Sequence, residues 1–332
     1  MNTPALSPKT RILGTGHYTP VRVVPNADLE KIVDTSDAWI TERTGIKRRH
    51  VAADGEVTSD MAAAAGRAAL QAAGLNVADL DLIIVGTVTP DSPSPSCAAQ
   101  VQQKLGADEI PAFDLSAACA GFIYGVTIAD QFIRTGAMRC VLVVGVELLS
   151  RILNWNDRTT CVLFGDGAGA VVLGPSKNGA GILSTQLFTD GSLAGALHIP
   201  GGGSAEPYDA DTVAKSRHKV HMTGTEVFKT AVKNLTSASS AAVKAAGLKS
   251  TDIDWVVAHQ ANMRILDQVA TRLGFPIAKF VLNIEEYGNT SSASIPIALD
   301  EAVRDGRIKP GQNVLMCALG SGISWGSAVV RM

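Results

Sequence analysis

The chain has no hydrophobic run long enough to cross a membrane. Its longest apolar stretches, such as Val141–Val146 and Leu82–Val85, fall far short of the ~20 residues a spanning helix needs. It also lacks a charge bias. Lys and Arg number 29 against 31 Asp and Glu, a formal net charge of −2, so nothing in the balance asks for nucleic acid or an anionic membrane. Any anionic partner must be met by a local patch. Paired cysteine motifs are missing as well. The five cysteines (Cys97, Cys119, Cys140, Cys161 and Cys317) are odd in number and none forms a CxxC pair, which excludes a disulfide scaffold and reads as reduced thiols. Each is first a small buried apolar residue. Cys140, Cys161 and Cys317 sit in strand-like runs that suit that role, and Cys97 and Cys119 ask for a closer look. The first ten residues hold Pro4, Pro8 and Lys9 but no apolar signal core, so a short loose tail and a cytoplasmic protein are expected. His218 and His221 stand three apart with no carboxylate or cysteine partner nearby, which argues against a metal site.

What is present is a globular composition and an internal repeat. The 332 residues are 46% hydrophobic, enough for a substantial buried core. Residues 69–85 match 242–258: Gly74 stands opposite Gly247, Asp79 opposite Asp252 and Asp81 opposite Asp254, each pair 173 positions apart. Each copy reads as a helix, a glycine stop, a short loop and a β-branched strand buried on both faces. The same offset of 173 relates Val141–Val144 to Val314–Cys317 and places Cys119 opposite Ser292. One shift that holds over three separated segments predicts two equivalent α/β halves, roughly 11–175 and 180–332, related by a pseudo-dyad. Ligand chemistry is expected where they meet, at strand ends and helix starts. Around this frame, 27–33 and 36–43 look helical with Ser36 a candidate cap, 59–73 is an alanine-rich helix opened by Ser59 or Asp60, and 225–246 is a further helix.

Three residues could carry chemistry. Cys119 lies in a run of small residues between a strand end at Phe113–Leu115 and a helix through Ile123–Phe132. A helix start offers backbone N–H donors to an oxyanion and favours thiolate. His259 follows the second copy of the repeated strand, where the first copy has Gly86, and Asn289 precedes the helix that starts near Ser292. Taken singly, Cys119 reads equally as a buried structural cysteine and His259 as a satisfied core histidine, while Asn289 reads first as a helix cap. The repeat changes the weighing, because the segment of Asn289 is the symmetry partner of the segment of Cys119, and His259 sits at a strand end in the same crevice. Such a trio can form a covalent thioester and stabilise an enolate oxygen. The glycine-rich run at 164–170 is followed by a strand, so it is no pyrophosphate loop. It is expected to form a tight corner behind the site, and the turn at 319–326 could offer a backbone N–H at Gly322.

Cys-Ala-Gly-Phe at 119–122, His-Gln-Ala-Asn at 259–262 and Gly-Asn-Thr-Ser at 288–291 together resemble the active-site signatures of the β-ketoacyl-[acyl-carrier-protein] synthase III family, and the similarity runs over nearly the whole chain. The resemblance implies a thiolase fold in five αβαβα layers and a homodimer. It implies condensation of an acyl-CoA primer with malonyl-carrier protein through an acyl-Cys119 intermediate, with no metal or redox cofactor. By carry-over, His259 and Asn289 stabilise the enolate, and Cys119 and Gly322 supply the oxyanion hole. Trp39, Arg43 and Arg158 would meet CoA, while Phe228, Ala261 and Asn262 would line the pantetheine tunnel. Lys229, Arg264 and Arg272 would meet the acidic carrier protein. As bare features, Trp39 with Arg43 is equally an ordinary helix face, and the three cations are equally solvated charges.

Two departures bear on the CoA contacts: Thr159 follows Arg158 where many members have glycine, and Thr225 replaces a common asparagine. Ser94 stands where short-chain members carry a bulky acyl-pocket residue, which predicts acceptance of primers longer than acetyl. Starter and condensing enzymes of secondary metabolism, including polyketide and quinolone synthases, and ester-forming acyltransferases share this fold and nucleophile. A non-catalytic thiolase-fold subunit is disfavoured by the presence of Cys119, and a hydrolase by an enclosed site without a water-activating base.

Overall fold

A computed structural model describes residues 9–176 and 179–332. The expected loose tail falls on residues 1–8 and lies outside the described residues. In the first half, strand β1 (Thr10–Tyr18) is followed by helices α1 (Asp37–Thr44) and α2 (Thr58–Ala73) and strand β2 (Leu82–Gly86). Then come α3 (Cys97–Leu105), β3 (Ala112–Leu115), α4 (Gly121–Arg134), β4 (Val141–Glu147) and β5 (Gly167–Pro175). The second half runs β6 (Gly181–Thr189), α5 (Gly224–Ala245), β7 (Trp255–Ala258), α6 (Met263–Leu273), α7 (Ser294–Arg304), β8 (Asn313–Gly320) and β9 (Ser324–Arg331).

The two large sheets have one topology, beside two small two-stranded ribbons. The first is ordered β1-β5-β4-β2-β3, with β4, β2 and β3 parallel and β5 antiparallel to both its neighbours. The second is ordered β6-β9-β8-β7 with the same directions, and a parallel bridge from Val256 to Phe280 stands where β3 stands in the first. Side-chain alternation builds the layers. Ile83, Val85, Leu142 and Val144 face outward onto α2 and α3, whereas Leu82, Ile84, Val141 and Val143 face inward onto α4 and α7. From the other sheet, Val257, Val314 and Met316 meet the same central helices, while Val256, Leu315 and Cys317 turn out to α5 and α6. The order is therefore helix, sheet, helix, sheet, helix, a five-layered thiolase arrangement whose middle layer takes one helix from each half.

The offset of 173 persists in fine detail. The single turns at Val77–Asp79 and Ser250–Asp252 correspond, as do those at Ala118–Ala120 and Ser291–Ala293. Ala118 (φ 45°) and Ser291 (φ 50°) both take the left-handed backbone that non-glycine residues rarely adopt. The halves approach closely there: a Cβ on Gly145 would lie 2.2 Å from the Ser292 carbonyl oxygen, so only glycine fits.

Local differences from the sequence reading have plain causes. The N-cap of α2 is Val57, and Asp60 accepts from the Val57 N–H at 3.1 Å, so this acid caps from inside the first turn. The Ser36 oxygen accepts from the Trp39 N–H at 3.1 Å, as a cap of α1 should. Cys161 lies in a turn closed onto the Asp157 carbonyl instead of in a strand.

Candidate active site

Cys119, His259 and Asn289 line one cavity of about 520 Å³. Cys119 sits in the single turn that leads into α4, so it occupies a helix start as expected, with only 7% of its surface exposed. Burial pushes its thiol up to about 12, opposed by a hydrogen bond from Ser291 and reinforced by the charge of Glu147. The resting group is thus the thiol, contrary to the thiolate that a helix start alone suggests: desolvation outweighs the dipole here. His259 ends β7 on a backbone bond to the Cys317 carbonyl (2.8 Å). Burial lowers its pKa to about 3, so the imidazole is neutral throughout the physiological range, and its Nδ1 has no hydrogen-bond partner.

Asn289 is held three ways: its N–H donates to the Leu163 carbonyl (2.8 Å), its carbonyl accepts from the Gly165 N–H (3.0 Å), and its Oδ1 accepts from the Ser291 N–H (2.9 Å). That last bond turns the amide nitrogen toward the cavity as a donor. Gln260, beside His259, is spent on structure: its Nε2 donates to the Ala258 and Val281 carbonyls, and its Oε1 accepts from the Asn283 and Ile284 N–H groups. Next along, Asn262 caps α6 by accepting from the Arg264 N–H at 2.9 Å.

A second cavity of about 180 Å³ opens on the other side of Cys119, walled by Val88, Leu149, Ile152, Phe164, Ile199 and Val220. One thiol thus faces a larger cavity, with Arg43, Lys229 and Arg264 among its lining, and a smaller apolar one. That is the layout of a group that takes an acyl chain from a long carrier. Among the described residues, no cluster of His, Cys, Asp and Glu is arranged to hold a metal, and no helix is long and apolar enough to cross a membrane.

The model of 3-oxoacyl-[acyl-carrier-protein] synthase III matches residues 113–191 and that of its C-terminal part matches 243–332. The β-ketoacyl-[acyl-carrier-protein] synthase III of Paramagnetospirillum magneticum is 52% identical over 98% of this chain and 99% of its own. The crystal structure of the 3-oxoacyl-[acyl-carrier-protein] synthase III from Aquifex aeolicus superposes with a TM-score of 0.91 at 46% identity, covering 97% of this chain and 100% of that one. This chain belongs to the β-ketoacyl-[acyl-carrier-protein] synthase III family. It is an acyltransferase of the condensing type. The priming β-ketosynthase of the R1128 polyketide pathway is also similar, with a TM-score of 0.92 at 38% identity over 100% of this chain and 98% of that one.

The synthase III carry-over can be placed on this geometry. The Arg43 guanidinium lies 4.7 Å and that of Arg158 5.3 Å from the centre of the Trp39 ring, a cationic aromatic stack close to the tunnel, which Arg43 itself lines. Phe228, Ala261 and Asn262 line the tunnel, as do Thr159 and Thr225, the two departures. Lys229 and Arg264 lie at the same cavity, with the Arg264 guanidinium 5.7 Å from the centre of the Phe228 ring. Arg272 does not join them. It borders a separate depression with Lys244 and Phe275, two turns further along α6. Gly322 lines neither cavity; Ser321, beside it in the β8–β9 turn, lines the smaller one together with Cys119, and its hydroxyl donates to the Leu197 carbonyl. Ser94 is exposed in the loop before α3 and lines neither cavity of its own chain. Cys97 is an inert core thiol at the start of α3, raised by burial, with its N–H bound to Asp114 at 2.7 Å.

Sequence reading missed Phe164, which lines both cavities and pairs with Asn289, and it missed Ser291 and Glu147. Ser291 carried a signal, since the offset places it opposite Ala118. Glu147 carried only that of an acid ending an apolar strand.

Proposed function

We propose that this chain condenses an acyl-CoA primer with malonyl-[acyl-carrier protein] to give a 3-oxoacyl-[acyl-carrier protein], the first condensation of fatty acid synthesis. One observation carries the reading: Cys119, His259 and Asn289 share a tunnel while Cys119 also opens on an apolar pocket. In the first half-reaction the Cys119 sulfur bonds to the acyl carbon, the CoA thioester bond breaks, and the thiol proton leaves with CoA. The chain seats in the apolar pocket, and the backbone N–H groups of Cys119 and Ser321 receive the oxyanion. In the second, malonyl thioester loses CO₂, and the electron pair moves onto the thioester oxygen. A neutral His259 and the Asn289 amide each donate a hydrogen bond to that oxygen. The carbanion then attacks the acyl carbon, a carbon–carbon bond forms, the acyl–sulfur bond breaks, and the Cys119 thiolate takes a proton from water to return to the resting thiol.

Trp39, Arg43 and Arg158 are proposed to receive the CoA nucleotide, with Phe228, Ala261 and Asn262 along pantetheine. Lys229 and Arg264, with Arg272 at longer range, are proposed to receive the acidic carrier. The enzyme acts as a cytoplasmic homodimer without metal or redox cofactor. Ser94 of one protomer lies at the acyl pocket of its partner, and its small side chain leaves room for primers longer than acetyl.

Mass spectrometry after brief exposure to a panel of acyl-CoA primers, then to malonyl-carrier protein, tests this. Adducts on Cys119 that vanish with CO₂ and a 3-oxoacyl product are expected. Adducts indifferent to malonyl thioester would make the protein an ester-forming acyltransferase, and a Cys119→Ala variant that still acylates would end the nucleophile assignment.

A further inference from the structure

Glu147 is the last residue of β4, fully buried, and the mechanism above does not use it. Its carboxylate receives the Thr89 hydroxyl at 2.8 Å, the Val88 N–H at 3.2 Å, the Ser291 hydroxyl at 3.2 Å and the Thr87 hydroxyl at 3.4 Å, while the Ser292 hydroxyl, also 3.4 Å away, donates to the Gly86 carbonyl at 2.7 Å. Among the described residues no cation pairs with it. The titratable groups that act with it are the thiols of Cys119 and Cys97, with His259 beyond Cys119 across the tunnel. A carboxyl group kept without a counter-ion at the seam of two halves is costly, and its four donors come from the loop after β2 and from Ser291.

Ser291 is the hinge of this arrangement. Its N–H fixes the Asn289 amide, while its hydroxyl donates to the Glu147 carboxylate at 3.2 Å and lines the same apolar cavity as Cys119. A hydroxyl has one proton to donate. When Glu147 is ionised it claims that proton. When Glu147 is protonated the hydroxyl is free to support sulfur as it gains charge. The geometry points to Glu147 as a positioning residue of the condensing centre: through Ser291 it holds the turn that carries Asn289 and decides whether the Cys119 sulfur has a hydrogen-bond donor. This rests on reading Cys119 as the nucleophile. Burial raises the Glu147 carboxyl to about 7, so the exchange falls in the neutral range.

The test is the rate at which iodoacetamide alkylates Cys119, read at the peptide level by mass spectrometry on either side of neutral pH, in the intact protein and in Glu147→Gln and Ser291→Ala. Ala118 carries alanine in the same backbone conformation, so Ser291→Ala is tolerated sterically. Glu147→Gln resembles the protonated acid. Below pH 7 its rate should match wild type, and above it the rate should rise about tenfold, the effect of one pKa unit on thiolate supply. Ser291→Ala should act on the opposite limb, slowing alkylation severalfold below pH 7 and leaving it unchanged above. A residue that only stiffens the turn would shift both limbs alike, and profiles parallel to wild type in the two variants would overturn the proposal. If Glu147→Gln does not fold, Ser291→Ala decides alone. Failure of wild-type Cys119 to acylate from acyl-CoA, with a normal alkylation profile, would instead sink the nucleophile reading.

Discussion

Replacing Asn289 by alanine should separate the two half-reactions. The Asn289 backbone is held by Leu163 and Gly165 and its amide by the Ser291 N–H, so the amide needs no reorganisation as charge develops on the thioester oxygen. Removal of one such donor costs about 2.7–4 kcal/mol, or ~10²–10³ in rate, and His259 remains as the second donor to set the floor. The Ser291 N–H also loses its acceptor, which costs stability of about 1–3 kcal/mol, so a melting curve must accompany the kinetics. Acylation of Cys119 relies on backbone donors and should change little. The assay preloads the protein with an acyl group, removes free CoA, mixes it with malonyl-carrier protein and follows the acyl-Cys119 mass over a single turnover. Condensation slowed ~10²-fold or more with acylation within about threefold of wild type is expected. Parallel loss of both half-reactions, or condensation that stays within about threefold, would refute the assignment of Asn289 to the enolate oxygen.

His259 is neutral in the fold at a pKa of about 3 against 6.5 unfolded, so its share of stability is complete above 6.5 and lost as pH falls toward 3. The full loss is about 5 kcal/mol, and His259→Gln should flatten the acid limb of melting temperature against pH. Trp39→Ala should raise KM for acyl-CoA about two- to thirtyfold through loss of the stack with Arg43 and Arg158, with no change for an acyl-pantetheine lacking the nucleotide. Ser94→Phe should cut acylation by octanoyl-CoA relative to acetyl-CoA by about tenfold or more if a methylene-scale steric block operates; an unchanged ratio would remove Ser94 from the acyl pocket. Gly145→Ala would drive a Cβ to 2.2 Å from the Ser292 carbonyl oxygen, and calorimetry should show a loss of about 1–3 kcal/mol or more.

The layered fold was legible in the sequence because it is written twice. Periodicity alone does not distinguish a strand buried on two faces from a helix segment, but the pairing of 69–85 with 242–258 resolves it, and the structure keeps the same offset down to single turns. The trio Cys119, His259 and Asn289 was legible because the offset predicts which strand ends and helix starts converge. The protonation of Cys119 was not, since a helix dipole is visible in a sequence while desolvation by Phe164 and its neighbours is not. Nor was Glu147: its four donors come from residues 87–89 and from Ser291, a meeting that only the packed halves create. Nothing in the run 319–326 says which residue of the turn, Ser321 or Gly322, lines the cavity with Cys119.

The duplication also explains why there is one active site and not two. The pseudo-dyad that carries Cys119 onto Ser292 carries His259 onto Gly86 and Asn289 onto Ser116, so a second centre would consist of Ser292, Gly86 and Ser116. In that position the Ser292 hydroxyl donates to the Gly86 carbonyl at 2.7 Å, and a Cβ on Gly86 would meet the Gly121 backbone at 2.9 Å. The second locus is closed by a hydrogen bond and by direct backbone contact. Closure there fixes the two central helix starts against each other, and this rigid seam is what lets a residue on one half, Asn289, be held at a set position relative to a thiol on the other. The same turn that seals the unused centre, Ser291–Ala293, positions the donor of the used one.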